Sequence, residues 1–264
     1  MIFSVWQAAF LGLIQGLTEI LPVSSSAHLK MIPWLIWDIQ DIGSFDVALH
    51  AGTLLAIVIF FFKDWISLIK GACKSVFKKE KSFEGRMFWY LVIATIPGGL
   101  IGFILDHFFE DALNKPIIIA CAMIVMGLLF YFVDKKSKSE TKFEDMTLKQ
   151  TSLIGLSQAL AFIPGVSRSG ITITTARAMG IERESAAKFS FLLSTPIVLG
   201  ATLLKIKDFS FTPAFFIGVI ISFIVGLIVI KFLLNYLKKG SYKPIAIYRV
   251  IFGLIILAKI FFFS

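Results

Sequence analysis

Two short stretches of this sequence carry side chains that could do chemistry together. In the first, Gln15 and Glu19 lie four residues apart, and Pro22 is followed by Ser24, Ser25, Ser26 and His28. In the second, Pro164-Gly-Val-Ser-Arg-Ser-Gly170 sets Arg168 between Ser167 and Ser169. A hydroxyl three residues before an imidazole shares a helical face with it, the reach that a nucleophile and its base require. Ser25 and His28 therefore read as nucleophile and proton acceptor. Ser24 is placed to cap a helix that restarts after Pro22, with free backbone amides aimed at the break. A carboxylate in an apolar segment must find a cation, a metal or a proton, and Glu19 is in that position. Gln15, one turn earlier, reads as an interhelical hydrogen-bonding group. Arg168 supplies a fixed positive charge whose planar fork suits oxyanions. A guanidinium, two helix starts and several hydroxyls meeting at one point would form an anion site, and a phosphate fits it best.

The elements that must bring these groups together lie in a bilayer. Of 264 residues, 57% are hydrophobic and 16% charged, against about 45–50% and 25% in soluble domains. A compact globule of this size cannot hide that excess. Apolar runs near 45–62, 88–105, 117–133, 185–204, 213–234 and 247–263 each approach the roughly 20 residues that cross a hydrocarbon core. The reading is an all-α polytopic membrane protein with six spanning helices and one membrane domain over residues 1–264. Residues 2–37 and 151–180 are also apolar, but they are broken by the serine-rich turns above, so each reads as a re-entrant helix hairpin. The apolar N-terminus has no positively charged region before Lys30 and reads as part of the mature chain, not as a cleaved signal.

The two hairpins resemble each other at an offset of 143 residues. Gly12-Leu-Ile-Gln15 faces Gly155-Leu-Ser-Gln158, and Val23-Ser-Ser-Ser-Ala27 faces Val166-Ser-Arg-Ser-Gly170. Duplicated, discontinuous membrane segments point to a binding site near the midplane, with one repeat over about 2–133 and the other over about 151–263. With the loop 63–87 inside, alternation places fifteen Lys and Arg in the inner loops and three in the outer ones, as the positive-inside rule expects. That count requires each hairpin to return to its own side, the first entering from outside and the second from inside, which makes the copies inverted repeats.

The remaining polar groups read blandly. His50, beside Gly52 and Thr53, reads as a packing histidine. Lys63, Lys205, Lys231 and Lys259 lie near span ends and snorkel. Cys73 and Cys121 have no catalytic spacing. The net charge of +9 sits in short loops and not in a basic recognition helix, which argues against nucleic acid as a partner. Phosphate-cradling, dinucleotide, haem and His/Cys metal motifs are missing from the sequence.

The broken segments carry a resemblance. Gln15-Gly-Leu-Thr-Glu19 with Pro22-Val-Ser-Ser-Ser-Ala-His28, and Pro164-Gly-Val-Ser-Arg-Ser-Gly-Ile-Thr172, resemble the two signatures of the bacterial undecaprenyl-diphosphate phosphatase family associated with bacitracin resistance. The likeness runs on through 45–62, 181–196 and 248–257. It implies hydrolysis of undecaprenyl diphosphate to the monophosphate lipid carrier and phosphate, recycling the cell-wall carrier at the outer face of the plasma membrane. It implies roles for Glu19, for Ser25 as nucleophile, for His28 in proton transfer and for Arg168 as phosphate clamp. Ser24, Ser26, Ser167, Ser169 and Thr172 would line the phosphate. The resemblance also implies a divalent cation, Mg²⁺ or Ca²⁺, near Gln15 and Glu19, although Gln15 is neutral where many members have a carboxylate. The expected partners are a polyprenyl diphosphate lipid and the bilayer, with room for a homodimer. A rival mechanism makes His28 the nucleophile. A rival class is a polyprenyl-phosphate flippase or anion transporter, which broken inverted repeats would serve equally well.

Overall fold

The structure, a computed structural model, describes residues 3–39 and 42–262. Its regular elements are helices: α1 Val5–Ile20, α2 Ser25–Trp37, α3 Ser44–Phe60, α4 Phe62–Phe77, α5 Phe83–Leu113, α6 Pro116–Lys136, α7 Leu148–Ser157, α8 Arg168–Ala178, α9 Arg183–Lys205, α10 Pro213–Leu237 and α11 Lys243–Phe262. Among the described residues four of them, α6, α9 with the turn that follows it, α10 and α11, are long and apolar enough to cross a membrane. The pair α3 and α4 would add a fifth span, but it bends by 71° at Phe61. Of the six runs expected, 45–62 therefore ends in this bend, because Lys63 and Asp64 follow it at once. The run 88–105 lies inside α5.

Large apolar side chains cover the outside of the molecule as well as its core. Leu128, Phe132, Ile228, Phe232 and Ile251 are all exposed, as lipid contact requires and water would penalise.

Both broken segments are built alike, position by position. Ser4 caps α1 in a reciprocal box with Gln7, and Thr147 caps α7 in the same box with Gln150. Both pairs are related by the offset of 143. The repeated glycines also do the same job. A Cβ on Gly12 would strike the backbone carbonyl of Gly218 in α10, and one on Gly155 would strike that of Ala94 in α5. Accordingly α1 packs on α10 while α7 packs on α5, and α6 packs on α11. At one end of the bundle Ser44 Oγ donates to the Asp208 carbonyl at 2.9 Å. At the other, Asp134 gathers Arg177, Arg183 and the backbone of Tyr242. The Tyr242 phenol there is fully buried and donates to the Arg183 carbonyl at 3.1 Å. Burial, with Asp134 close by, pushes its pKa well above the usual phenol range.

Candidate active site

Each break ends in a serine held in left-handed backbone, with φ 74° at Ser24 and 72° at Ser167. That conformation is costly for a residue with a side chain, and such strain gathers at functional sites. Both serines are N-caps: Ser24 Oγ accepts from Ala27 N at 3.4 Å and Ser167 Oγ from Gly170 N at 3.1 Å. Each also contacts the serine two residues on, Ser26 at 3.2 Å and Ser169 at 3.3 Å. The helix starts of α2 and α8 thus present matched rims of hydroxyls.

Between them lies a cavity of about 270 Å³, lined by Glu19, Ser24, Ser25, Ser26, His50, Ser167, Arg168 and Ser169, with Ile197, Val198 and Ala201 as an apolar wall. Glu19, only 8% exposed, is its hub. Arg168 Nη2 donates to Glu19 Oε1 at 2.5 Å, and Ser25 Oγ donates to Oε2 at 2.5 Å. His50 Nε2 stands 3.2 Å from Oε2, and its Nδ1 stands 2.9 Å from Asp46 Oδ1. The hydrogen bond of Nδ1 is with the Asp46 backbone carbonyl at 3.0 Å, which leaves Nε2 to face Glu19. Arg168 divides its fork, since Nη1 donates to the Ser194 carbonyl at 3.2 Å. Thr172 Oγ1 lies behind the rim, 2.8 Å from Ser190 Oγ.

The first break does not form the expected Ser25–His28 hydrogen bond. His28 is fully buried and does not line the cavity. Its Nδ1–H donates to the Ser24 carbonyl at 2.7 Å, so Nε2 accepts from the Tyr248 hydroxyl at 2.7 Å. The ring stacks on Phe252 of α11 at 4.2 Å. Residues 25 and 28 do share one side of a helix, but packing against α11 turns His28 away from the opening. The group that meets the Ser25 hydroxyl is Glu19.

Residues 8–255 match the family model described as bacitracin resistance protein BacA. The chain belongs to the BacA family. It is 48% identical over 258 residues to the undecaprenyl-diphosphatase of Pelotomaculum thermopropionicum, covering 96% of each chain. Similar proteins of the same name are those of Desulforudis audaxviator, 44% identical over 255 residues and 96% of each chain, and Moorella thermoacetica, 45% identical over 260 residues and 97% of each.

In this BacA-family site two further residues stand out that are not among the candidates named from the sequence. His50 reads from sequence as a packing group, whereas here it faces Glu19; the signal was Asp46 one turn before it on the same face. Arg249 lies within α11, fully buried. It donates from Nη1 to the Pro22 carbonyl at 2.9 Å, and from Nη2 to those of Gly165 and Val166 at 2.7 and 3.0 Å. One guanidinium therefore ties both breaks together. A lone arginine in an apolar run was itself the signal.

The donor set does not build a resident divalent-metal cage around Gln15 and Glu19. Both Glu19 oxygens are engaged, and Gln15 turns Nε2 toward Glu19 at 3.4 Å and Thr53 at 3.3 Å. Its Oε1 is buried without a hydrogen-bond partner. Among the described residues no group of three His, Cys, Asp or Glu side chains is placed to hold a metal ion. Mg²⁺ and Ca²⁺ need several hard oxygens, and here one committed carboxylate stands beside a neutral amide.

His28 touches this geometry through the Ser24 carbonyl, and the expectation is that it positions the turn. His28→Ala should lower turnover by about a hundredfold, the cost of a misplacement near 1 Å. His28→Asn, which keeps a donor one turn from that carbonyl, should recover most of it in a phosphate-release assay. Equal loss in both variants would instead assign His28 to proton transfer.

Proposed function

We propose that this chain hydrolyses undecaprenyl diphosphate to undecaprenyl phosphate and inorganic phosphate, at a midplane site formed where the two broken segments meet. The observation that carries the proposal is the line Arg168–Glu19–Ser25 across two segments 149 residues apart, in a chain of the BacA family.

The chemistry follows from charge. Glu19 neutralises Arg168 while the cavity awaits substrate. An entering diphosphate competes for the guanidinium and draws it onto the terminal phosphoryl oxygens, where transition-state stabilisation is mostly electrostatic. Glu19 keeps Ser25 on Oε2 and gains a free Oε1. Ser25 Oγ attacks the terminal phosphorus, giving its proton to Glu19, and the bridging P–O bond breaks with its electron pair leaving on undecaprenyl phosphate. Water then attacks the phosphoserine. Glu19, having passed its first proton to solvent, takes one from the water and returns it to Ser25 as phosphate departs. His50 holds the carboxylate in line throughout, and the rim hydroxyls of Ser24, Ser26, Ser167 and Ser169 bind phosphate oxygens.

The same reading makes the halves inverted repeats. Its support is the repeated capping box, the repeated glycine contact, the two left-handed serines and the exchanged packing of α1 on α10 and α7 on α5. The site then opens outward. A second cavity shares Ser26, Asp46 and Ala161 with the first and reaches Lys30, Asn114 and Lys205, toward the lysine-poor end marked by the Ser44–Asp208 contact. In a Cys121→Ser background, an impermeant thiol reagent on intact spheroplasts should leave the exposed Cys73 untouched until the membrane is opened. Asp208→Cys, with both native thiols removed, should label at once. Labelling of Cys73 from outside would reverse the orientation.

The flippase reading is favoured by the repeat architecture alone. Purified protein in detergent, where nothing can be transported, should release phosphate from undecaprenyl diphosphate with multiple turnovers. A protein that binds the lipid and releases none would be a carrier instead.

A further inference from the structure

At the end of the bundle away from the catalytic cavity, a second polar cavity of about 420 Å³ is lined by Tyr131, Asp134, Lys135, Arg183, Ser241 and Lys243. It plays no part in the mechanism above and does not depend on it.

Its electrostatics are lopsided. Asp134 is 4% exposed, and its carboxylate is already saturated. Oδ1 accepts from Arg177 Nε and Arg183 Nε, each at 2.8 Å, and Oδ2 accepts from Arg183 Nε at 3.1 Å and Tyr242 N at 3.2 Å. Arg177, fully buried behind it, and Arg183 share that single negative charge, which leaves one guanidinium charge in excess. Arg183 commits only Nε, and its two terminal nitrogens have no partner among the described residues. Lys135 and Lys243 are exposed, and neither meets a carboxylate among the described residues; Lys135 Nζ rests 5.8 Å over the Tyr131 ring. Three cations and two hydroxyls therefore face a cavity with no free anion of its own.

What stands beside the cavity tells which anion belongs there. Lys135 ends a helical stripe on α6 formed with Phe132 and Leu128, and Lys243 begins one on α11 with Ile247 and Ile251. All four apolar side chains are exposed, and α6 and α11 pack together. An anionic head would meet the lysines and Arg183 while hydrocarbon lay along the two stripes. Basic pockets between membrane helices bind lipid head groups in this way.

We propose that this cavity is a binding site for the phosphate of an anionic membrane phospholipid, seated between the ends of α6 and α11. Arg183 supplies the fork, the two lysines the flanking charge, and the exposed faces of α6 and α11 the bed for the acyl chains.

The test uses the full-length protein in a neutral detergent, titrated with dioleoyl phosphatidylglycerol, dioleoyl phosphatidylcholine or inorganic phosphate. Binding and the unfolding temperature are both followed. Phosphatidylglycerol should bind and raise the unfolding temperature, and phosphatidylcholine should not. In the double variant Lys135→Gln/Lys243→Gln the affinity should fall by about thirtyfold, as two interfacial lysines imply. Lys135→Arg/Lys243→Arg should retain it. All three proteins should share the same lipid-free unfolding temperature and the same turnover of undecaprenyl diphosphate, which removes misfolding as a cause. Undiminished binding in the glutamine variant, or equal protection by both phospholipids, would overturn the proposal. Protection by millimolar inorganic phosphate equal to that by phosphatidylglycerol would overturn the lipid assignment and make the cavity a site for free phosphate.

Discussion

Ser25→Ala lowers phosphate release from undecaprenyl diphosphate by four orders of magnitude or more, while Ser24→Ala and Ser26→Ala keep measurable turnover. The expectation rests on position. Ser25 is the one hydroxyl of the run that donates to the Glu19 carboxylate; Ser24 is committed to the helix cap and Ser26 contacts Ser24. Losing a nucleophile removes the covalent route altogether, on the order of 10⁴-fold or beyond. Losing a cap costs about 1 kcal/mol of local stability. Initial rates of phosphate release from purified variants in detergent give the comparison. If Ser25→Ala retains rate and Ser26→Ala loses it, the rim has been read one residue out of place.

Arg168→Ala should cost about a thousandfold, in the range for a guanidinium that stabilises a transferring phosphoryl group. The variant should remain folded, because Glu19 keeps Ser25 and His50 as partners. Arg168→Lys should fail nearly as badly. In the resting site the guanidinium reaches Glu19 with one terminal nitrogen and the Ser194 carbonyl with the other, and a single ammonium cannot serve both directions. The loss should appear in kcat and kcat/KM together, the signature of an interaction made in the transition state. A variant with raised KM and unchanged kcat would make Arg168 a binding residue only.

Both breaks are legible in the sequence because proline, glycine and serine runs interrupt a helix, and backbone freed at membrane depth must be satisfied by protein or by a polar cavity. Glu19 and Arg168 are legible for a similar reason: ionised groups in lipid must find each other or a ligand. His50 is not, since its partner Glu19 is 31 residues away in sequence and only the packing of α3 on α1 brings them together. The orientation of His28 is hidden too, because helical spacing says which residues share a side but not which neighbour that side faces. The stack of Phe252 and Tyr248 decides it. Arg249 is legible as a cation in an apolar run, but its partners are not, since only the packing brings it to the three carbonyls that make it the clip between the tips. The bend at Phe61 is masked because Phe60, Phe61 and Phe62 carry the apolar run up to Lys63 with no proline, glycine or serine to mark a break. Hydropathy alone tells how greasy a stretch is, not whether it stays straight.

The most direct test of the account is to catch the phosphoryl group in transit. Wild-type protein mixed with undecaprenyl diphosphate carrying radioactive terminal phosphate is quenched within one turnover in denaturing detergent, split between acid and mildly alkaline buffer so that both phosphoserine and acid-labile phosphohistidine are scored, then digested and sequenced. The account predicts acid-stable label on the peptide containing Ser25, missing in Ser25→Ala and in Arg168→Ala. Label on a histidine, or turnover by Ser25→Ala with oxygen from labelled water entering phosphate directly, would contradict it.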